Sequence, residues 1–449
     1  MLREAIDFYH SLLDQGLAAD TNEQLFKLLK ERHLYFGERP LCTVLRPYFY
    51  SADDWAYMKH ETEVLLGAFA RAHEACLHSA ELREQLALEP YEEQLFSLDV
   101  GSVVPWTTSR LDSFFVVEKR SLKYVEYNAE TPAGMGYEDI LAEVFTELEP
   151  MKRLAKEYQI QSMPMLDDLL RSLLRAYKEW GGQERPQIAI VDWHEVPTLT
   201  EHEICREHFE RNGVRAVLAD PRHLEFRDGK LWAGDFRVDV IYKRVLISEL
   251  IERMGLDNAI VRAVRARAVM MTNSFSAKLM AKKASFAFLS DERNAHLFTA
   301  EQQRVIANHI PWTRNVSERK TIHDGQEIDL MPFIADNRDH LVLKPNDEYG
   351  GKGVHIGWEA SAEEWNEAMH EALTHRYVVQ ERVSTIYRNF PALVDGKLDI
   401  SPRFVDANPY VFYGSTVYGC LTRLSSLALL NVTAGGGSVV PTFLIRKKD

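Results

Sequence analysis

The sequence predicts an α/β protein: α+β lobes assembled around a Rossmann-like unit, with a helical N-terminal region. Three observations carry this. Strands and helices alternate between residues 186 and 270. Two β-rich runs follow each other at LDSFFVVE (111–118) and KYVEYN (123–128). A glycine-rich stretch, EYGGKGVHIGW (348–358), follows the strand-like LVLKPND (341–347). At roughly 150 residues per domain, 449 residues suggest about three lobes.

Residues 1–98 read as mostly helical, because apolar residues recur at helical spacing in AIDFYHSLL and ETEVLLGAFARAHEACL. His73 and His78 lie five apart there, which is not the spacing of a zinc-binding helix, and are expected on the helix surface. A segment 99–150 follows. The short polar KRSL joins its two β runs into a hairpin, and TPAGMGYED leads into a helix near 138–148. In the unit 180–270, PQIAIVDW (186–193) is a buried strand and LTEHEICREHFERNG (199–213) a helix ended by Gly213. VRAVLAD (214–220) and VDVIYKRV (238–245) are further strands, with turns at Gly229 and Gly234. A parallel sheet follows from this alternation. Residues 271–449 return to α+β, with a helix at 361–373 and a strand at RYVVQERV (376–383).

Composition excludes several functions. The net charge is −14 and no dense Lys/Arg block exists, which argues against a general nucleic-acid binder. Cys42, Cys76, Cys205 and Cys420 form no CxxC pair, so free thiols are expected rather than disulfides or a thiolate zinc site. The N-terminus lacks an apolar signal core, and no run reaches about 18 apolar residues. A cytoplasmic protein without a membrane partner is expected. Neither GxGxxG after the first strand of the central unit nor GxxxxGK[ST] is present, so a dinucleotide site and a Walker loop are unsupported.

Four clusters could carry chemistry. Lys344 ends a strand and could reach phosphates as a point charge. Gly350, Gly351 and Gly353, with Lys352 between them, would let backbone amides approach phosphate oxygens; a tight turn with a surface lysine is the alternative. In VVQERV (378–383), Gln380 and Glu381 could form a hinge whose backbone meets a base edge and whose acid meets a ribose hydroxyl; an edge strand is the alternative. Arg110-x-Asp112 and Glu126-x-Asn128 offer oxygen ligands suited to Mg²⁺. With a three-residue turn at 119–121, Glu118 pairs with Leu122, Asp112 faces Asn128 and all three oxygens share a face. A two-residue turn puts Asp112 on the other face. Last, Arg423 could neutralise charge on a transferred phosphoryl group, near Asn431 and Gly435-Gly436-Gly437.

In this order the clusters resemble the circularly permuted ATP-grasp family related to glutathionylspermidine synthase. VEYNAETPAG (125–134) is close to that family's ExNA run, and Asp112, Glu126 and Asn128 resemble its metal triad, with Arg110 just before it. Lys283 resembles the first ATP lysine, with Lys282 and Lys278 as alternatives, and Lys344 the second. YGGKGV (349–354) resembles the loop over the phosphates, and GCLTRLSS…NVTAGGGSVVPTF (419–443) the closing segment. The resemblance covers about residues 100–449 and makes 180–270 a pre-ATP-grasp unit. It departs from the family in lacking an amidase domain, in reading YGGKG for a GRxG form, and in an N-terminal region without a match.

The resemblance implies an ATP- and Mg²⁺-dependent carboxylate–amine ligase acting through an acylphosphate on small-molecule substrates. An ATP-grasp kinase and a non-catalytic nucleotide-binding protein are the alternatives. Lys243 and Arg244 could bind a substrate carboxylate or be solvated strand-end residues.

Overall fold

The two β runs do form a hairpin, and it lands in a sheet whose other strands come from the far end of the chain. This is seen in a computed structural model that describes residues 1–36, 39–100, 104–348, 350–425 and 437–448. Strand Thr108–Val116 pairs antiparallel with Ser121–Asn128. It also pairs with Asn408–Phe412, Arg110 lying opposite Tyr410. The resulting seven-stranded sheet takes its remaining strands from Ile386–Val394, Lys397–Val405, Thr416–Ser425 and Gly437–Val440. A hairpin early in the sequence thus completes a C-terminal sheet, which is a permuted order made visible.

The hairpin register differs from both turns considered for it. Val116 pairs with Ser121, so the connection runs through Val117–Arg120, with Arg120 in the left-handed region at φ 48°. Continued regularly, that turn would place Asp112 on the face away from Glu126 and Asn128. A one-residue bulge intervenes: Ser113 lies opposite Tyr124 but Asp112 lies opposite Glu126, leaving Val125 unpaired. The slip restores the parity, so Asp112 meets Glu126 and Arg110 meets Asn128.

A second, four-stranded antiparallel sheet is ordered Thr313–Asn315, Tyr377–Glu381, Leu341–Pro345, His355–Ile356. Helix Ala362–Thr374 covers it, started by a Ser361/Glu364 capping box. Trp365, Leu341, Leu343 and Val379 form a separate small core beneath that helix. The central unit is a four-stranded parallel sheet, ordered Met270–Thr272, Val240–Lys243, Ile188–Val191, Ala216–Ala219. Its buried, β-branched strands are what a sheet covered on both faces requires. Helix Leu199–Arg211 packs on it.

The first 98 residues are helical in the main but not detached. Helix Ala52–His78 buries Phe69 against Tyr127 of the hairpin, ring centroids 4.5 Å apart. The final strand, Thr442–Lys447, lies between Tyr48–Tyr50 and Tyr158–Ser162. One apolar core therefore runs from Ala5 to Ile445. His78 is exposed beside Glu74, as expected, but His73 is buried edge-on to Trp106. All four cysteines are buried and unpaired. No helix among the described residues is long and apolar enough to cross a membrane.

Candidate active site

A cavity of about 490 Å³ opens between the two antiparallel sheets. Its walls bring together Arg110, Asp112, Glu126, Lys283, Lys344, Gly350, Gly351, Gln380, Glu381 and Arg423, which lie far apart in sequence.

On the side of the small sheet, Lys344 projects from strand Leu341–Pro345. Its ammonium donates to Gln380 Oε1 at 2.7 Å and to the carbonyl of Val125, the bulged residue, at 3.3 Å. Desolvation lowers its pKa to about 8; Glu126 pulls it up and Lys283 pushes it down. Lys283 reaches Glu126 at 3.1 Å and the carbonyl of Glu348. Lys278 and Lys282 do not face the cavity. Lys278 is buried against Glu130 (2.8 Å) and Asp347 (2.6 Å), and Lys282 against Glu92 (2.7 Å) and Asp347 (3.2 Å). Among the three lysines, only Lys283 lines the cavity.

On the side of the large sheet, Asp112 is gripped from three directions. Arg110 donates through Nε (2.7 Å) and Nη2 (3.1 Å), Arg423 through Nη2 (2.7 Å), and Asn128 through Nδ2 (3.0 Å). Burial would raise the Asp112 carboxyl, but the two guanidinium groups outweigh it and hold it below the usual range. Arg423 is itself clamped by Asp406, which accepts from both its backbone amide and Nε at 2.7 Å. Asp406 and Asn408 line the cavity, and sequence reasoning missed them. Their signal was present: Asp406-x-Asn408 repeats the acid-x-Asn spacing of Glu126-x-Asn128 on a neighbouring β run.

The donor set fits a hard divalent cation. Asp112 and Glu126 are direct cross-strand neighbours on one cavity wall, and Mg²⁺ takes one or two carboxylates with phosphate and water oxygens. Among the described residues no three His, Cys, Asp or Glu side chains form a complete cage, so a cation here would need further oxygens beyond these two carboxylates. Asn128 does not line the cavity and instead orients Asp112.

The glycine loop divides. Gly350 and Gly351 face the cavity with φ of 66° and 80°, where a side chain is disfavoured. Lys352 and Gly353 do not. Lys352 is 77% exposed and pairs with Glu348 at 3.2 Å. Gly353 has φ 69°, and a Cβ there would lie 3.0 Å from Pro345 and 3.1 Å from the Tyr377 hydroxyl, so close packing explains it. Tyr349, Asn431, Gly435 and Gly436 lie outside the described residues, while Gly437 begins a strand paired with Ser425. At the hinge, Gln380 is buried between Lys344 and Thr313, and Glu381 meets His323 at 2.7 Å. The amides of Glu381 and Arg382 are taken by Trp312 and His340, after which Val383 and Thr385 face the cavity. Val342, Ile356 and Trp358 supply an apolar wall, with Arg382 stacked 4.1 Å from the Trp358 ring.

Lys243 and Arg244 are neither solvated nor open to a ligand. Both are buried, Lys243 on Glu130 (3.4 Å) and Arg244 on the carbonyl of Pro132 (2.6 Å). They clasp the segment that leads from the hairpin to helix Met135–Glu147.

Two lobes closing on a cavity, with lysines on one side and the arginine-held Asp112 beside Glu126 on the other, define an ATP-grasp architecture. The family model of circularly permuted ATP-grasp type 2 matches residues 118–425, and the chain belongs to that family. The match begins after Arg110 and Asp112. A Frankia casuarinae protein named as a candidate glutamate–cysteine ligase 2-2 is 26% identical over 70% of this chain and 36% of its own length. A Frankia alni protein named as a candidate glutamate–cysteine ligase 2-3 is 26% identical over 90% of this chain and 47% of its own. The chain thus spans less than half of these relatives. A glutathione synthetase-like effector of Globodera pallida, in its apo form, shares the fold with a TM-score of 0.60 and 11% identity, over 95% of this chain and 96% of that one.

Proposed function

We propose that the chain is an ATP- and Mg²⁺-dependent carboxylate–amine ligase that activates its acid as an acylphosphate. The observation that carries this is the convergence of Lys283 and Lys344 with Arg110 and Arg423 around Asp112 and Glu126 on one cavity. ATP would supply the phosphoryl group, and Mg²⁺, held by Asp112 and Glu126, would neutralise its oxygens. Lys283 and Lys344 hold phosphate charge from one lobe, and Gly350 and Gly351 offer backbone amides beside them. Gln380 and the backbone carbonyl of Val125 fix the Lys344 ammonium, so its donors are oriented before a nucleotide arrives. Glu381, which meets His323 in this structure, would accept from a ribose hydroxyl, and the Val342–Ile356–Trp358 wall would pack on the base. Arg110 and Arg423, held rigid by Asp112 and Asp406, stabilise the transferred phosphoryl group and the oxyanion of the tetrahedral intermediate. No side chain of the cavity need act as a covalent nucleophile.

The names of the two Frankia relatives make L-glutamate and L-cysteine the first pair to test. ADP release from MgATP should require both an acid and an amine, screened first with that pair and then with other amino acids, small peptides and polyamines. A stable phosphorylated product formed without amine would replace this reading with a kinase. Absence of ATP binding would leave neither.

A further inference from the structure

The cavity continues past Arg110 to a wall that none of the assignments above uses, lined by Tyr137, Thr198 and Glu201. Glu201 comes from helix Leu199–Arg211 of the central unit and is 3% exposed. Its Oε1 accepts from the amides of Gly134 (2.7 Å) and Gly136 (3.3 Å) at the start of helix Met135–Glu147. Its Oε2 is buried and has no hydrogen-bond partner among the described residues. The hydroxyl of Tyr137, 5% exposed on the same wall, makes no hydrogen bond of good geometry among the described residues, although the Thr200 hydroxyl and the Glu201 backbone lie beside it.

Buried polar atoms are nearly always satisfied, and an orphaned one costs about 1–3 kcal/mol, so the unpaired Glu201 oxygen on a cavity wall, with a weakly satisfied tyrosine hydroxyl beside it, points to a ligand group. Position supports this. Ala133 accepts Arg110 Nη1 at 2.7 Å through its carbonyl, and the next residue, Gly134, is held by Glu201. The acid therefore holds the residue next to one that the arginine at the proposed phosphoryl centre contacts. A carboxylate oxygen accepts only, and a tyrosine hydroxyl can donate or accept. The group that satisfies both and restores solvation to a buried acid is a hydrogen-bond donor carrying positive charge.

We propose that Glu201 and Tyr137 form the subsite for the ammonium group of the amine substrate, with Glu201 Oε2 as its anchor. This rests on the ligase reading and names the residues by which it would choose its amine. Arg110 and Arg244 lie near enough to Glu201 to favour its ionised form, although burial leaves its pKa raised. A bound ammonium adds the close partner that the carboxylate lacks.

The test uses Glu201→Gln, which keeps an acceptor for Gly134 and Gly136, and Tyr137→Phe. With the amine that supports ADP release, Glu201→Gln should raise its KM at least tenfold and Tyr137→Phe about threefold. The KM for ATP should stay within twofold and kcat within threefold. An unchanged amine KM in both variants overturns the proposal, as does an equal rise in the KM for ATP, which would mark a structural cap. Calorimetry with putrescine and with L-cysteine, ADP being present, reads the subsite without turnover. Binding of either that Glu201→Gln weakens tenfold supports it even if no acid–amine pair releases ADP, in which case the ligase reading alone fails. Equal binding by both proteins, or binding of neither probe, overturns it.

Discussion

Lys344 donates to the backbone carbonyl of Val125 across the cavity, and Val125 is the one residue the hairpin register leaves unpaired. A bulge frees a carbonyl from its ladder. Here the same slip that turns Asp112 toward Glu126 also supplies an acceptor for the lysine of the opposite lobe. The two halves of the site are tied through a single irregularity.

Nucleotide affinity should fall as pH rises through about 8, where Lys344 loses its proton in the free protein. The Kd for ADP should increase by up to about tenfold per pH unit above that point. Calorimetry between pH 7 and 9.5 measures this, and Lys344→Arg should flatten the profile. Stability should move oppositely. The unfolded chain keeps a lysine proton to about pH 10.4 that the folded chain has released, so this group favours the fold increasingly between pH 8 and 10.4.

Asp112→Ala and Glu126→Ala should separate stability from turnover. Asp112 is 5% exposed by side chain and neutralises two guanidinium groups, so its removal should cost about 3–5 kcal/mol in urea unfolding. Glu126 is 31% exposed and should cost under about 1 kcal/mol while abolishing ADP release. Full activity in the Glu126 variant would sink its role as a metal ligand.

The neighbouring lysines should also behave differently. Lys283→Met should lose nucleotide binding and keep its unfolding midpoint. Lys282→Met leaves Glu92 and Asp347 short of a buried partner, so it should unfold in less urea by about 2–4 kcal/mol. Equal nucleotide affinity in Lys283→Met and wild type would reassign the first phosphate lysine.

Lys352→Ala should change the KM for ATP by less than about twofold and stability by less than about 0.5 kcal/mol, since the side chain is 77% exposed and points away from the cavity. A larger kinetic effect would show that the loop swings Lys352 inward during turnover.

Local pattern made the parallel unit, the hairpin and the glycine loop legible, because alternation and turn residues act over a few neighbours. The register was not, since a bulge has no compositional mark beyond its strand. The stretch from 150 to 180 carries helix Leu166–Trp180 and strand Tyr158–Ser162, which local pattern does not single out; the strand pairs with Thr442–Lys447, remote in sequence. Most of the candidate residues that line the cavity are legible through acid, lysine and glycine spacing. Lys243 and Arg244 misled because a charged pair at a strand end reads as solvated until Glu130 and Pro132 are folded onto it. Asp406 carries an acid-x-Asn signal, but its clamp on Arg423, like the contact of Glu201 with Gly134, exists only in space.

The pairing of Arg110 with Tyr410 has a consequence for biosynthesis. At ordinary translation rates, roughly 15–60 s separate the emergence of these two residues from the ribosome. For that interval the early hairpin has an open edge, even where Tyr50, Tyr57 and Phe69 of the earlier segment already pack on its Phe115 and Tyr127, and it can neither align Asp112 with Arg423 nor close the cavity. Nascent chains arrested before residue 408 should therefore engage chaperones and resist release in soluble form, and competence to bind nucleotide should arrive only as the last strands are made.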